Sequence, residues 1–144
     1  KISALSETAP TLTFNAIGRH VAKVAYTKLV SDKSVWFSEC ELGEVHAVAL
    51  SHGEGRFVAE KTELDQLIRN GQMIAQYCDI DGNISGDPEV NPNGSMQNIE
   101  AITSPDGRIL GKMGHNERAG SGLYQNLVGN FDQKIFRSGV KYYS

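Results

Sequence analysis

The sequence has no long hydrophobic run. No apolar stretch approaches the ~18 residues that a membrane-spanning helix needs, and residues 1–7 lack the apolar core of a signal peptide. Hydrophobic residues make up 40% and charged residues 22% of the 144 residues, which is typical of one soluble globular domain. We therefore expect no membrane partner.

Cysteine is scarce. Cys40 and Cys78 form neither a disulfide framework nor a C-x-x-C pair, so we expect free thiols and a reducing, cytoplasmic location. Cys40 stands between Glu39 and Glu41, whose charge would raise a thiol pKa, and Cys78 falls in a predicted strand. Neither cysteine is therefore a candidate nucleophile.

Basic residues are also too few for a nucleic-acid surface. The chain has 14 Lys and Arg against 17 Asp and Glu, for a net charge of -3, so we expect no nucleic-acid partner. The acidic stretch from Asp79 is interpreted as a solvated loop. It is not an EF-hand, because loop positions 6 and 12 hold Ile84 and Val90 instead of Gly and Glu.

Motifs for metals and nucleotides are missing as well. The sequence contains no H-E-x-x-H, no P-C-x-x-C, no P-loop and no dinucleotide-binding glycine fingerprint. We therefore predict no metal site. A metal hydrolase that uses the pairs His52 with Glu54 and His115 with Glu117 stays open as an alternative.

The pattern of apolar residues predicts more strands than helices. Strands are predicted over residues 20–30, 44–50, 72–78, 98–103 and 108–113, the last two forming a hairpin. Helices are predicted over residues 62–70, with Thr62 as N-cap, and over residues 132–138, ending near Gly139. A long polar loop is expected over residues 79–94. This predicts an α/β class with few helices and a mixed or mainly antiparallel sheet.

Two histidines stand out from the other two. His52 and His115 each follow a predicted strand beside glycine, with Glu two positions later, whereas His20 and His46 are interpreted as core or surface residues of strands. A histidine with a carboxylate is the base and orienter of a catalytic triad. Ser121 is flanked by glycines but lacks the strand-to-helix elbow of a nucleophile. The sequence thus offers a base and an orienter without a nucleophile.

Four segments then occur in a specific order. They are Ser-His-Gly-Glu-Gly-Arg-Phe at 51–57, Asn-Pro-Asn-Gly-Ser at 91–95, Ile-Thr-Ser-Pro-Asp-Gly-Arg-Ile-Leu-Gly at 102–111 and His-Asn-Glu-Arg at 115–118. The set resembles the class I glutamine amidotransferase domain of phosphoribosylformylglycinamidine synthases, in particular the single-chain bacterial type. The resemblance implies an α/β, flavodoxin-like sandwich, of which residues 1–144 would be the C-terminal portion without the nucleophile elbow.

The resemblance also implies roles for individual residues. His115 would be the catalytic base and acid, and Glu117 would orient it. Ser51, His52 and Gly53 would help to hold glutamine, largely through main-chain groups. The family's nucleophile is a cysteine in an elbow, which this chain does not contain.

One departure from the family concerns the residues around His115. The family often has proline where this chain has Gly114 and Asn116. Both positions flank the expected catalytic pair, so the difference concerns the conformation of the local turn more than the expected chemistry.

The implied function is part of a purine-biosynthesis ligase. Glutamine hydrolysis would supply ammonia for the ATP-dependent conversion of formylglycinamide ribonucleotide to the amidine. ATP and magnesium would bind in a separate synthetase region, and no cofactor is expected in this chain. The expected partners are glutamine, the synthetase region, the rest of the amidotransferase domain and a second chain across an exposed sheet edge.

Two expectations follow for the chain by itself. With two of three triad members it should be inactive. The alternative is a binding or regulatory module that kept the fold and lost the nucleophile.

Overall fold

The computed structural model describes residues 7–144. Within them lie the strands β1 (Thr11–Thr13), β2 (Val21–Leu29), β3 (Val45–His52), β4 (Arg56–Val58), β5 (Met73–Cys78), β6 (Ile99–Thr103) and β7 (Leu110–Lys112), and the helices α1 (Lys61–Arg69) and α2 (Ile135–Tyr143). Short 3-10 turns span Val35–Phe37, Met96–Asn98 and Asn116–Arg118. Across residues 7–144, neither helix has the length and apolar character that a membrane crossing requires.

Five strands form the main sheet in the order β3-β2-β5-β6-β7, and β1 pairs with β4 in a separate small sheet. The long β2 alternates buried and partly exposed side chains from Ala25 to Leu29, and it pairs with β3 from Val21 opposite His52 to Lys28 opposite Val45. The predicted class, α/β with few helices, is confirmed. Within residues 7–144 all described strand pairs are antiparallel, and none is the parallel pair that a mixed sheet would contain.

The core lies around the central strand β5, which is buried almost throughout. One apolar cluster joins Leu29, Ile74 and Ala101 of three neighbouring strands to Phe37 and Ile135. Burial of these side chains packs the 3-10 turn at Val35–Phe37 and the start of α2 against the sheet. A further cluster seats Leu64 and Leu67 of α1 on Phe57 and Ile99.

Both helices are found, but their ends differ from the prediction. The N-cap of α1 is Glu60 instead of Thr62, and Gly71, in the left-handed region at φ +66°, follows the helix as predicted. Helix α2 begins at Ile135 and continues through Gly139 to Tyr143. Glycine is required at position 139 because a Cβ there would overlap the Trp36 ring. Gly139 is therefore a packing residue and not the end of the helix.

The outer edge of β3 is partly occupied by the C-terminal third of the chain. The Ala47 N–H donates to the Asn130 carbonyl at 2.7 Å, and the Ala49 carbonyl accepts from the His115 N–H at 2.9 Å. At these two residues the edge is not available for another chain. Self-association through a sheet edge stays a prediction for the remaining strands.

Replacing Gly107 with alanine should destabilise the chain more than replacing Gly43. Both have left-handed backbones, at φ +76° and +84°, so alanine costs about 1–2 kcal/mol at either position. A Cβ at Gly107 would also overlap the Lys33 carbonyl oxygen, whereas Gly43 has no neighbouring atom within 4 Å. For G107A we expect the free energy of unfolding to fall by a further amount of about 1–3 kcal/mol, measured by urea unfolding. Equal losses would contradict this account of the turn.

Candidate active site

His115 lies beside the last residues of β3. Its backbone N–H bonds to the Ala49 carbonyl in an isolated antiparallel bridge, and the 3-10 turn Asn116–Arg118 starts directly after it. β3 ends at His52, so the predicted catalytic pair and the predicted glutamine-binding turn lie at the same end of one strand. The structure thus brings together two segments that are about 60 residues apart in the sequence.

The His115 and Glu117 side chains form a direct pair. The Nδ1–H of His115 donates to Glu117 Oε1 at 2.6 Å. This hydrogen bond is the main cause that lowers the pKa of Glu117, so the carboxylate is ionised at neutral pH. With Nδ1 committed to Glu117, Nε2 is the ring nitrogen that can exchange a proton with a reacting group. His115 is 31% exposed, which leaves the ring accessible.

Asn15 holds the turn that follows β3. Its Nδ2 donates to the carbonyls of His52 at 2.8 Å and Arg19 at 2.9 Å. Its Oδ1 accepts from the Gly55 N–H at 3.0 Å and from His52 Nδ1 at 3.1 Å. Asn15 is buried. Sequence reasoning missed this role, because an asparagine far from the turn in sequence carries no signal of such a contact.

The His52 imidazole is part of the turn's support. It packs against Gly55 so closely that a Cβ on Gly55 would overlap the ring. Burial lowers the pKa of His52, which favours the neutral ring at neutral pH. The inward side chain agrees with a segment that acts through its main chain, although glutamine binding by Ser51, His52 and Gly53 stays a prediction. The Ser51 hydroxyl lies 3.2 Å from His20 Nε2.

The Asn-Pro-Asn-Gly-Ser motif supports the same turn from the other side. Asn93 is fully buried and donates through Nδ2 to the Gly55 carbonyl at 2.7 Å and to the Tyr77 hydroxyl at 3.1 Å. Ser95 Oγ accepts from the Phe57 N–H at 3.0 Å. This motif is therefore a buried polar scaffold for the turn rather than an exposed site.

A buried ion pair fixes the turn that leads into His115. Glu100 Oε1 accepts from the Gly114 N–H at 2.7 Å and lies 3.1 Å from Lys112 Nζ. Lys112 in turn donates to the Gly114 carbonyl at 2.8 Å. The Glu100 side chain is completely buried, so its charge must be matched by these donors. Sequence reasoning did not single out Glu100 or Lys112.

Gly114 and Asn116, at the positions where the resemblance led us to expect proline, each form a hydrogen bond. Gly114 donates its N–H to Glu100, and Asn116 donates its side-chain amide to Gln133 Oε1 at 2.7 Å. Proline has no N–H and no polar side chain, so it could form neither bond. The different residues nonetheless leave His115 and Glu117 within hydrogen-bond distance of each other.

The two cysteines are free thiols, as predicted. Burial is the largest cause that raises the pKa of Cys40 and of Cys78, each to about 11. For Cys40 the next cause is the carboxylate of Glu44 and not that of its chain neighbours. Since a nucleophilic thiol needs a lowered pKa, neither residue has the environment of a catalytic cysteine.

The chain belongs to the family of CobB/CobQ-like glutamine amidotransferase domains, which it matches over residues 1–143. The paired His115 and Glu117 side chains and the adjacent turn are consistent with this class of protein.

The curated relatives that follow are named as subunits of phosphoribosylformylglycinamidine synthase. The chain is 35% identical over 125 residues to the phosphoribosylformylglycinamidine synthase subunit PurQ of Chlorobaculum parvum, covering 86% of this chain and 47% of that protein. It is 42% identical over 101 residues to the subunit of the same name from Moorella thermoacetica, covering 70% and 41%. The chain spans about half the length of the curated relatives it matches.

A solved structure shares the fold. The structure of PurLQS from Thermotoga maritima matches with a TM-score of 0.72 and 24% identity, covering 94% of this chain and 54% of that one. This similarity confirms the predicted amidotransferase-like fold. The relatives named above are separate subunits, and the predicted single-chain form stays a prediction.

Removing the His115 ring should raise the pKa of Glu117 towards its ordinary value of 4.5, because the bond from His115 is the main cause of the lowering. The pair therefore stabilises the fold above pH 4.5, and this contribution is lost as the pH falls through the folded-state pKa. A carboxyl NMR titration of His115→Ala measures the change. His20→Ala is the matched control, and an unchanged Glu117 titration in H115A would contradict the pairing.

Asn15→Ala should destabilise the fold and loosen the turn after β3. The substitution removes the hydrogen bonds that Asn15 forms with the buried Gly55 N–H and with the His52 carbonyl. We expect the free energy of unfolding to fall by about 1–3 kcal/mol for each group that is left unsatisfied. Thermal unfolding and amide exchange at Gly55 measure the loss. Asn126→Ala, at an exposed position, is the control and should change neither quantity. Native-like exchange at Gly55 in N15A would rule out this role.

Proposed function

We propose that this chain supplies the base and the orienting carboxylate of a glutamine-hydrolysing site, which provides ammonia to a phosphoribosylformylglycinamidine synthase. The observation that carries the proposal is the 2.6 Å bond from His115 to Glu117, next to the Ser51–Gly53 turn, in a chain of the glutamine amidotransferase family. The names of the PurQ relatives support the choice of synthase.

The proposed reaction uses His115 Nε2 as the proton carrier. His115 takes the proton of a cysteine thiol, and the sulfur attacks the side-chain amide carbon of glutamine. The proton then passes to the leaving nitrogen, so that ammonia departs and a thioester remains. His115 next takes a proton from water, which attacks the thioester, releases glutamate and restores the thiol. Glu117 keeps the imidazole in one tautomer and stabilises its cationic form.

The nucleophile in this proposal comes from outside residues 1–144. Cys78 is buried in β5, and the thiol of Cys40 donates to the Gln133 carbonyl at 2.9 Å. The raised pKa of both groups disfavours the thiolate. We therefore propose that a cysteine on the rest of the amidotransferase domain meets His115, and that the 144 residues alone do not hydrolyse glutamine.

The proposed binding surface is the backbone of Ser51, His52 and Gly53. Asn15 bonds to the carbonyls of His52 and Gly53, and Asn15, Asn93 and the His52 ring hold Gly55, so this segment is fixed at both ends before a ligand arrives. The ammonia acceptor, ATP and magnesium are assigned to a synthetase region on a partner or on another part of the same protein.

His115→Ala in the intact enzyme should abolish glutamine-dependent synthesis and spare the reaction with added ammonia. Loss of general acid–base catalysis lowers rates by roughly 100- to 10,000-fold, and the ammonia reaction needs no such step. Glu117→Gln should lower the glutamine-dependent rate as well, because it removes the negative charge beside His115. Steady-state rates with each nitrogen source measure both effects.

The matched control is Glu63→Gln on α1, which should leave both reactions unchanged. Equal loss of the glutamine- and ammonia-dependent reactions in H115A would contradict the role of His115. Glutamine turnover by the 144-residue chain alone would contradict the proposal that the nucleophile lies outside it.

A further inference from the structure

Three side chains with metal-binding atoms converge at the start of β3. The Cys40 sulfur, a Glu44 carboxylate oxygen and a His46 ring nitrogen all lie within 4.8 Å of one another. Ligand atoms around a tetrahedral zinc ion are about 3.3–3.8 Å apart, given bond lengths of about 2.0–2.3 Å. His46 Nε2 and Glu44 Oε1 already lie 3.2 Å apart, and the Cys40 sulfur lies within 4.8 Å of each ligand atom.

His46 provides an independent indication of a ligand. It is 1% exposed, and its Nε2 lies 3.2 Å from Glu44 Oε1 without forming a well-aligned hydrogen bond. A buried polar atom without a partner costs stability, and of the four such side-chain atoms within residues 7–144 only His46 Nε2 lies in this cluster. Bonding to a cation would satisfy this nitrogen.

The charges around the cluster also favour a cation. The charged groups around Cys40 are the carboxylates of Glu44, Asp132 and Glu39 and the ammonium group of Lys134. Those around His46 are Glu44 and the ammonium groups of Lys134 and Lys112, so carboxylates outnumber ammonium groups by three to two over the cluster. Lys134 Nζ donates to the Glu39 carbonyl at 3.3 Å. A thiolate, a carboxylate and a neutral imidazole would make an electrically neutral site with a divalent ion, which lowers the cost of burial.

The groups behind the ligands hold them in place. Glu44 Oε1 accepts from Asn130 Nδ2 at 3.1 Å, and its Oε2 accepts from the Glu41 N–H at 3.0 Å. A carboxylate oxygen has a second lone pair, so Oε1 can also bind a metal. Cys40 and Glu44 are partly exposed, which gives an ion a path from solvent.

We infer that Cys40, Glu44 and His46 form a binding site for a divalent transition metal of the zinc class, with one coordination position left for water or an exchangeable ligand. Sulfur and nitrogen donors select such ions over calcium and magnesium, which prefer oxygen alone. Binding breaks the S–H bond of Cys40, forms a metal–sulfur bond and releases the proton to solvent. The inference does not rest on the proposed glutamine chemistry.

Titration of the metal-free, reduced 144-residue chain with Co²⁺ tests the site. We expect one equivalent to bind, with a thiolate-to-cobalt charge-transfer band, visible bands of four-coordinate cobalt and displacement by Zn²⁺ but not by excess Mg²⁺. Cys40→Ser should abolish the charge-transfer band. Cys78→Ser, which removes the other thiol, should retain it.

Two further variants keep the test decisive if C40S fails to fold. Glu44→Gln and His46→Gln should each weaken Co²⁺ binding by about tenfold or more, since even loss of an outer-shell partner costs about 10–100-fold. His20→Gln should bind normally. The inference is overturned if the native chain shows no thiolate–cobalt band, if the band survives in C40S, or if E44Q and H46Q both bind with native affinity.

Discussion

The hydrogen bonds along the outer edge of β3 place the C-terminal third of the chain. One bond, from the His115 N–H to the Ala49 carbonyl, sets the proposed catalytic pair of His115 and Glu117 beside the Ser51–Gly53 segment. The other, from the Ala47 N–H to the Asn130 carbonyl, brings Asn130 to Glu44. Backbone pairing in a sheet fixes position and direction together. Both the candidate active site and the metal-binding cluster depend on this edge.

Buried polar groups give the candidate site its rigidity. Asn15 and Asn93 satisfy the backbone of the turn, and Glu100 with Lys112 fixes the approach to His115. Such groups are costly to bury without partners, so the hydrogen bonds they form leave few alternative conformations, although Glu100 Oε2 and His52 Nε2 are buried without a partner. An apolar core could support the same sheet, but it could not hold particular carbonyl and N–H groups in fixed directions.

Gln133 connects the two sites. Its side chain bonds to Asn116, next to His115, and its carbonyl accepts from the thiol of Cys40. Its amide also donates to Thr27, which pairs with His46 in the sheet. A single buried residue therefore lies against the turn that holds Asn116, the cysteine and the strand that carries His46.

The sequence predicted the five strands of the main sheet, both helices and the hairpin, because alternation of apolar residues and turn-forming residues act locally. It did not predict the extent of α2. Local propensity favours an end at Gly139, whereas contact with Trp36 requires glycine there within the helix. The pair of His115 and Glu117 was predicted from its spacing and from the family resemblance, and the structure places the two side chains in contact.

The sequence by itself determined the residues available for chemistry. They are a histidine with a carboxylate two positions later, and two cysteines that do not lie in a nucleophile elbow. Only the tertiary structure decided which of them meet. Asn15 lies 37 residues from His52, and Gln133 lies 93 residues from Cys40, so no local pattern joins either pair. His46 was interpreted as an ordinary strand residue. Its relation to Cys40 and Glu44 arises because the loop before β3 folds back onto the strand, where burial leaves the ring nitrogen facing a thiol and a carboxylate.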